Sequence, residues 1–282
     1  MKRITGVDDP ATVRRMRAAV SALVLSAAVL APFAAPPARA GEVADRVRAG
    51  TAVRVCIWPD YYGVTYRHPR TGQLAGIDID LSAAFGRDLG RAVTYVPSSH
   101  AQLIGDLQED RCDIAMFAVA VVPQRQAALA FSRPYLQSDL YGITTRSNRV
   151  VREWSDIDRP GVQVAVQAGT VMEPIMAAAL EQATMVVVKP PATRERELTS
   201  GRVDVFMTDY PYSRRLLDNA DWARLVSPPT PFHVLPYAYA VKQGDAAWLA
   251  TVDDFVARIK RDGRLEAAAA RHGLLPIVFR EP

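Results

Sequence analysis

The sequence predicts an α/β fold of two lobes, each a mainly parallel sheet flanked by helices, with a two-segment hinge between them. Short β-rich apolar runs alternate with helical stretches, and this alternation occurs twice along the chain. The run at 113–119 is apolar without alternation, which is typical of a strand covered on both faces. Strands that alternate with helices favour right-handed crossovers within each lobe.

The first unit starts with a strand at 53–57, which ends at the turn Pro59-Asp60. Apolar residues at helical spacing then predict a helix that begins near Leu81 and is closed by Gly90. The remaining elements of this unit are a strand at 93–96, a helix at 103–107 and the strand at 113–119.

The second unit repeats the pattern and is followed by a return to the first. Its predicted elements are strands at 162–166, 185–188 and 203–207, a helix after Gly169-Thr170, and helices at 194–200 and 211–219. A strand at 237–241 and two helices, the last stopped by Gly273, complete the chain. If these final helices pack on the first unit, lobe one comprises 41–140 plus 236–282 and lobe two comprises 141–235. We expect the crossovers near 138–144 and 232–237.

The first 40 residues are predicted to be a secretory signal peptide that is cleaved after Ala40. A basic start precedes an uncharged run of apolar and small residues at 18–35, and the small-x-small triplet Ala38-Arg39-Ala40 follows. A membrane-spanning helix needs about 20 apolar residues, so a retained anchor is the weaker alternative. The sequence therefore predicts a periplasmic protein without stable membrane insertion.

Charge excludes two classes of partner once that segment is set aside. Residues 1–40 carry six of the 34 basic and two of the 30 acidic side chains, which leaves 28 of each in the remainder. A balanced chain gives no reason to expect a nucleic acid or an anionic membrane as partner.

The cysteines, Cys56 and Cys112, fall in or beside predicted strands. Export would place them in an oxidising compartment, where disulfides persist. The distance between them cannot be read from sequence, so a disulfide and two buried thiols both stay open.

Common catalytic and metal-binding motifs are absent from the sequence. It contains no G-x-S-x-G, H-E-x-x-H, C-x-x-C, Walker A or G-x-G-x-x-G pattern, and its four histidines lack metal-ligand spacing. We therefore predict no catalytic residue, no metal and no cofactor.

Five segments, in their order along the chain, match the sequence pattern of a known protein family. They are GQLAGIDIDL at 72–81, PQR with FSRPY at 123–135, VAVQAGT at 164–170, GRVDVFMTD at 201–209 and YAYAVK at 237–242. Together they resemble the family 3 extracellular solute-binding proteins, which serve polar amino-acid ABC transporters, and the likeness extends over nearly all of 50–275. The resemblance implies a type 2 periplasmic binding fold, an amino acid or related carboxylate as ligand, and an ABC transporter permease as partner. We expect a monomer.

The same resemblance assigns Arg125 to the ligand carboxylate and Asp209 to the ligand amine. A guanidinium offers two parallel donors to a carboxylate, and a carboxylate pairs with an ammonium group. Arg125 could instead be a solvated surface residue, and Asp209 could cap the helix that begins near Pro211.

Further contacts are expected at the ends of predicted strands. Gln167, Gly169, Thr170 and the amide of Val171 form a turn into a helix, where free N–H groups attract anions. Trp58 and Tyr61 follow the first strand, at the end where open α/β sheets bind ligands. The family resemblance places Tyr61 against the ligand side chain.

Departures from the family pattern include Ala120 and Val122. Ala120 and Val122 stand where the family usually has serine and threonine, so two hydroxyls are missing and the pocket wall is more apolar. This departure favours an unusual amino acid or another organic carboxylate as ligand.

Two alternatives to transport remain. The segments at 110–116 and 159–161 are similar to exported cyclohexadienyl dehydratases, whose chemistry needs a general acid, and Glu173 is the nearest candidate. The other alternative is a periplasmic sensor partner that presents its ligand to a receptor.

Overall fold

The computed structural model describes residues 41–280, so the predicted signal peptide lies outside the described residues. The strands are β1 (Ala52–Ile57), β2 (Tyr66–Arg67), β3 (Leu74–Ala75), β4 (Ala92–Pro97), β5 (Ile114–Ala120), β6 (Leu129–Phe131), β7 (Leu136–Ser138), β8 (Leu140–Thr145), β9 (Gln163–Gln167), β10 (Thr184–Val188), β11 (Val205–Asp209), β12 (Ala223–Val226) and β13 (Leu235–Lys242). The helices are α1 (Glu42–Ala49), α2 (Ile77–Leu89), α3 (Leu103–Gln108), α4 (Pro123–Gln126), α5 (Met172–Ala179), α6 (Arg194–Thr199), α7 (Tyr210–Asn219), α8 (Ala246–Arg261) and α9 (Arg264–Arg271).

Two sheets form the frame of the molecule, which confirms the predicted two-lobed α/β fold. The first has the order β4-β1-β5-β13-β6, with β7 also paired to β13, and the second has the order β10-β9-β11-β8-β12. In each sheet three neighbouring strands are parallel, and one strand, β13 in the first sheet and β8 in the second, pairs antiparallel with them. Strands β6 and β7 pair antiparallel with β13, and β12 pairs antiparallel with β8. Strands β8 and β13 each enter a sheet directly from the other one, without the helical crossover that a parallel neighbour requires.

The chain passes between the sheets twice. Only Asp139 separates β7 in the first sheet from β8 in the second, and the chain returns between β12 and β13. We call each sheet with its helices a lobe; the last helices, α8 and α9, pack on α1 and α2 of the first lobe. Asp245 fixes this packing, because its carboxylate accepts the backbone N–H groups of Val43, Ala44 and Trp248.

A disulfide joins Cys56 at the end of β1 to Cys112 just before β5, with 5.6 Å between their Cα atoms. The structure thus decides between the two states that the sequence left open. Both residues are buried. Closing a loop of this length stabilises a fold by about 4 kcal/mol in the chain-entropy account.

The segment at 72–81 has structural roles. Gly76 has φ +135°, and a Cβ there would lie 2.2 Å from the carbonyl oxygen of Val64. Asp78 is fully buried and accepts hydrogen bonds from Tyr135, Tyr239 and the backbone of Ala118. The next acid along, Asp80, pairs with Arg271 and His272 and so ties α2 to α9.

Membrane association through a spanning helix finds no support in the described part of the chain. None of the helices within residues 41–280 is both long enough and apolar enough to cross a bilayer.

Candidate functional site

A small cavity of about 30 Å³ lies between the lobes, where the carboxyl ends of the parallel strands of both sheets meet. Its lining residues from the first sheet's side are Trp58, Tyr61, His100, Ala118, Ala120, Arg125 and Tyr237. Those from the second are Thr170, Val171, Met172, Arg194, Thr208, Asp209 and Tyr212. Ligands of open α/β sheets bind at this end of the strands, so the cavity is the candidate site.

A larger cleft of about 740 Å³ adjoins the cavity and shares with it the residues Trp58, His100, Thr170 and Tyr212. The ring of Trp58 in the first lobe lies parallel to that of Tyr212 in the second, with 6.4 Å between the ring centroids. The lobes therefore contact one another across the cleft.

Arg125 is only 6% exposed, so it is not the solvated surface residue of the alternative interpretation. It lies on the short helix α4, and its guanidinium donates to the carbonyl of Ala120 at 3.2 Å. Burial lowers the pKa of Arg125, although an arginine stays charged at neutral pH. Within residues 41–280 no carboxylate forms an ion pair with this guanidinium.

Asp209 lies at the end of β11 and holds the lobes together. One carboxylate oxygen accepts the backbone N–H of Tyr212 at 3.1 Å, which caps α7 as the alternative interpretation expected. The other accepts the hydroxyl of Tyr61 from the first lobe and that of Tyr237 at 2.9 Å. Asp209 thus caps a helix and also lines the cavity.

Tyr61 and Tyr237, whose hydroxyls donate to Asp209, stay protonated. Burial, together with the negative charge of Asp209, raises the pKa values of Tyr61 and Tyr237 well above their ordinary value. Tyr61 therefore donates a hydrogen bond across the cleft, in addition to packing its ring at 5.1 Å from that of Trp58.

His100 follows β4 and packs against the rings of Trp58, Tyr61 and Phe117. Burial and the positive charges of Arg125 and Arg194 hold its pKa well below the ordinary value. The imidazole is therefore neutral at neutral pH, and its shielded Nδ1 has no hydrogen-bond partner among the described residues.

Arg194, at the start of α6, is a second buried guanidinium in the cavity wall. It is 4% exposed, donates to the carbonyl of Met207 at 2.7 Å, and lies 4.5 Å from the ring centroid of Tyr212. Its Nε and the hydroxyl of Thr208 are both buried without a partner in the described chain.

The turn before α5 places some of its predicted residues in the cavity and others outside. Thr170 and Val171 line it, while Gln167 lines only the larger cleft and Gly169 lines neither. Glu173 lines neither cavity, and its carboxylate accepts the backbone N–H of Gly169 at 3.0 Å.

The site residues predicted in the first lobe also lie partly in the cavity and partly outside it. Trp58, Tyr61 and Ala120 line the cavity, and Ala120 has only a methyl group as its side chain. Val122 lies at the N-terminus of α4 and lines neither cavity.

Sequence reasoning missed His100, Arg194 and Thr208. Arg194 begins α6 and carried no local signal. For the other two a signal was available, because His100 follows β4 and Thr208 lies at the end of β11. The rule that ligands bind beyond the carboxyl ends of parallel strands applied to these positions as it did to Trp58.

We expect Gly169→Ala to weaken ligand binding about tenfold by opposing lobe closure. Gly169 in the second lobe has φ +75°, and a Cβ there would lie 2.7 Å from the Cβ of Ala101 in the first lobe. Isothermal titration calorimetry of wild type and variant measures the change.

Gly161→Ala is the matched control, because Gly161 also has a positive φ but a Cβ there would touch nothing within 4 Å. It should lower stability without changing affinity, and adding Ala101→Gly to Gly169→Ala should recover part of the lost affinity. Equal affinities of the two single variants would contradict the predicted contact.

Within residues 41–280 no group of three or more acidic, histidine or cysteine side chains is arranged to hold a metal.

A two-lobed α/β fold with a cavity between the lobes defines the class of periplasmic binding proteins. The chain belongs to the bacterial extracellular solute-binding proteins, family 3, whose family model matches residues 53–274.

Individual relatives include binding proteins and an enzyme. The chain is 31% identical over 245 residues to a cyclohexadienyl dehydratase of Pseudomonas aeruginosa, a match that covers 86% of this chain and 91% of that protein. It is 22% identical over 200 residues to the L-cystine-binding protein TcyJ of Escherichia coli, covering 71% and 74% of the two chains.

A solved structure agrees with the fold. The crystal structure of the ancestral amino acid-binding protein AncCDT-1, a precursor of cyclohexadienyl dehydratase, matches with a TM-score of 0.73 and 27% identity. The match covers 81% of this chain and 98% of the other.

Proposed function

We propose that the protein is a periplasmic solute-binding protein, which captures an amino acid or related small organic carboxylate by lobe closure and delivers it to an ABC transporter. The observation that carries the proposal is the guanidinium of Arg125, which is buried in the cavity wall without a carboxylate partner in residues 41–280.

A buried charge without a counterion is costly. Removing an ion from water costs several kcal/mol, which only a well-placed opposite charge offsets. The single hydrogen bond to Ala120 leaves most of the five N–H donors of Arg125 for another acceptor. A ligand carboxylate supplies both the charge and the two parallel acceptors that a guanidinium matches.

Ligand entry requires the lobes to separate. The cavity of about 30 Å³ is far below the ~300 Å³ of small-molecule sites, and the Tyr61–Asp209 hydrogen bond crosses it. Opening would break that bond, and closure over a ligand would re-form it together with the contact of Trp58 and Tyr212.

Delivery to an ABC transporter is supported by the family to which the chain belongs and by its relatives. The family is one of extracellular solute-binding proteins, and another relative is the ABC transporter glutamine-binding protein GlnH of Bacillus subtilis, at 22% identity. The predicted signal peptide would place the protein in the periplasm, where such proteins meet their permeases.

Native mass spectrometry of the full chain, exported and purified from the periplasm, tests the proposal. We expect a co-purified small carboxylate that is released unchanged, and a thermal-shift screen of amino acids and small carboxylates should raise the melting temperature. A protein that carries and binds none of them would reject the proposal.

A second candidate function is a cyclohexadienyl dehydratase, which the 31% identity to such an enzyme favours. Dehydration needs a side chain that can protonate the leaving hydroxyl. Among the described residues that line the cavity, none is suited to this role. His100 is neutral, Tyr61 and Tyr237 hold their protons tightly, and Glu173 does not line the cavity.

Incubation with prephenate or arogenate separates the two functions. A binding protein should return either compound unchanged, whereas accumulation of the aromatic product would establish the enzyme and reject simple binding.

A further inference from the structure

The cavity carries more positive than negative charge. Two buried guanidiniums, those of Arg125 and Arg194, line it together with one carboxylate, that of Asp209. His100 adds no charge, because burial and both arginines keep its pKa low. A zwitterionic amino acid would leave this excess uncompensated.

Arg194 lacks a contacting counterion of its own. Its neighbour Glu195 interacts with it electrostatically, yet no ion pair within 4 Å involves Arg194 among residues 41–280. The carboxylate of Glu195 accepts a hydrogen bond from the hydroxyl of Tyr212. Glu195 lines the larger cleft together with Arg215, with which it also interacts electrostatically.

Two hydrogen-bond donors, one on Arg194 and one on Thr208, have no acceptor among the described residues. The Nε of Arg194 and the hydroxyl of Thr208 are buried without a hydrogen bond in the described chain, and both residues line the cavity. Thr208 is 1% exposed and Arg194 is 4% exposed, so bulk water does not serve either one. An unmade hydrogen bond of this kind is costly, more so for a charged group.

The guanidinium is also held in place. It donates to the carbonyl of Met207 and stacks on the rings of Tyr212 and Phe206, at 4.5 and 5.1 Å from their centroids. A rigid, desolvated guanidinium with free donors is suited to recognise a carboxylate.

We infer that the ligand is a dicarboxylate, with one carboxylate on Arg125 of the first lobe and the second on Arg194 and Thr208 of the second lobe. This inference rests on the proposed function, since it names the ligand class of the same cavity. Each lobe then supplies one guanidinium, so a dicarboxylate links the lobes as they close. Asp209 remains available for an amine where the ligand has one.

Calorimetry with pairs of ligands that differ in one carboxylate tests the inference. The pairs are L-glutamate with L-glutamine, L-aspartate with L-asparagine, succinate with succinamate, and para-carboxy-L-phenylalanine with its para-carbamoyl counterpart. For the best-binding pair, the wild-type full chain, freed of bound ligand by dialysis, should bind the dicarboxylate about 10- to 100-fold more tightly than the amide.

Arg194→Met should remove this preference. It should weaken the dicarboxylate about 10- to 100-fold and leave the amide within about threefold of wild type, and Arg194→Lys should recover part of the loss. A thermal melt confirms that each variant is folded. Thr208→Val should also weaken the dicarboxylate more than the amide, by a smaller factor than Arg194→Met.

The outcomes separate the two proposals. Equal binding of both members of every pair, or an equal effect of Arg194→Met on both, overturns the dicarboxylate inference but keeps the binding function. Failure of the wild type to bind any member of any pair overturns the dicarboxylate inference, and the binding function is then decided by the thermal-shift screen and native mass spectrometry. A co-purified ligand with a single anionic group would also overturn the inference.

Discussion

Arg125→Met should weaken binding of the best carboxylate ligand by at least about 100-fold. A charge-assisted hydrogen bond contributes about 1.5–3 kcal/mol, and a carboxylate on this guanidinium would lose two of them. Methionine keeps much of the length of the side chain and leaves the ligand carboxylate without a partner in a buried site. Isothermal titration calorimetry with the ligand identified by mass spectrometry measures the loss.

Arg87→Met is the matched control, because Arg87 is an exposed arginine on α2, outside both cavities. It should leave affinity unchanged. Arg125→Met should also raise the melting temperature of the free protein or leave it unaltered, since it removes a buried charge without a partner. An affinity equal to that of wild type would show that Arg125 does not hold the ligand.

Asp78→Asn should remove a large pH dependence of stability. Asp78 is fully buried, and burial raises its pKa to about 7 despite hydrogen bonds from Tyr135, Tyr239 and Ala118. The unfolded chain releases this proton near its ordinary pKa of 3.8, whereas the folded chain holds it up to about 7. The stability contributed by the protonated form is therefore complete below about pH 4 and is lost by about pH 7.

The measurement is the difference in unfolding free energy between wild type and Asp78→Asn, obtained by urea denaturation at several pH values. Relative to the variant, wild type should lose up to about 4 kcal/mol between about pH 4 and about pH 8, because one pKa unit corresponds to about 1.4 kcal/mol. Asparagine cannot ionise, so the variant lacks this pH dependence, although its amide nitrogen donates and cannot accept the hydrogen bonds that one carboxylate oxygen of Asp78 receives. A difference that stays constant with pH would show that Asp78 titrates alike in both states.

This carboxyl also connects stability to the candidate site. Ala118 lines the cavity with φ +50°, a conformation unusual for a residue with a side chain, and its N–H donates to Asp78. The signature segment at 72–81 thus supports the cavity wall from behind without reaching the cavity.

Most of the parallel strands could be predicted because each is a short run of mainly apolar residues, as at β1, β5 and β9. The short strands β6, β7 and β8 were missed, since three to six residues without a clear period give little signal. Their partners come from distant parts of the chain, so their pairing is decided by tertiary structure.

The candidate site also contains residues that could be predicted from sequence and one that could not. Arg125, Asp209, Thr170 and Tyr61 were nominated by motifs, and all line the cavity. Arg194 lies in a polar helix with many charges, where nothing local distinguishes a buried guanidinium from a solvated one. Only the packing of Phe206 and Tyr212 around it buries this charge.

The sequence by itself determined the family, the two-lobed α/β fold and the arginine expected to meet a carboxylate, because these depend on ordered motifs and on the periodicity of apolar residues. The tertiary structure alone decided three things: that Cys56 and Cys112 are joined, that Asp209 binds tyrosines from across the cleft, and that Arg194 faces the cavity without a contacting counterion. The physical reason is that burial and charge compensation depend on which residues meet in space, and residues far apart in the chain meet only when both sheets are assembled.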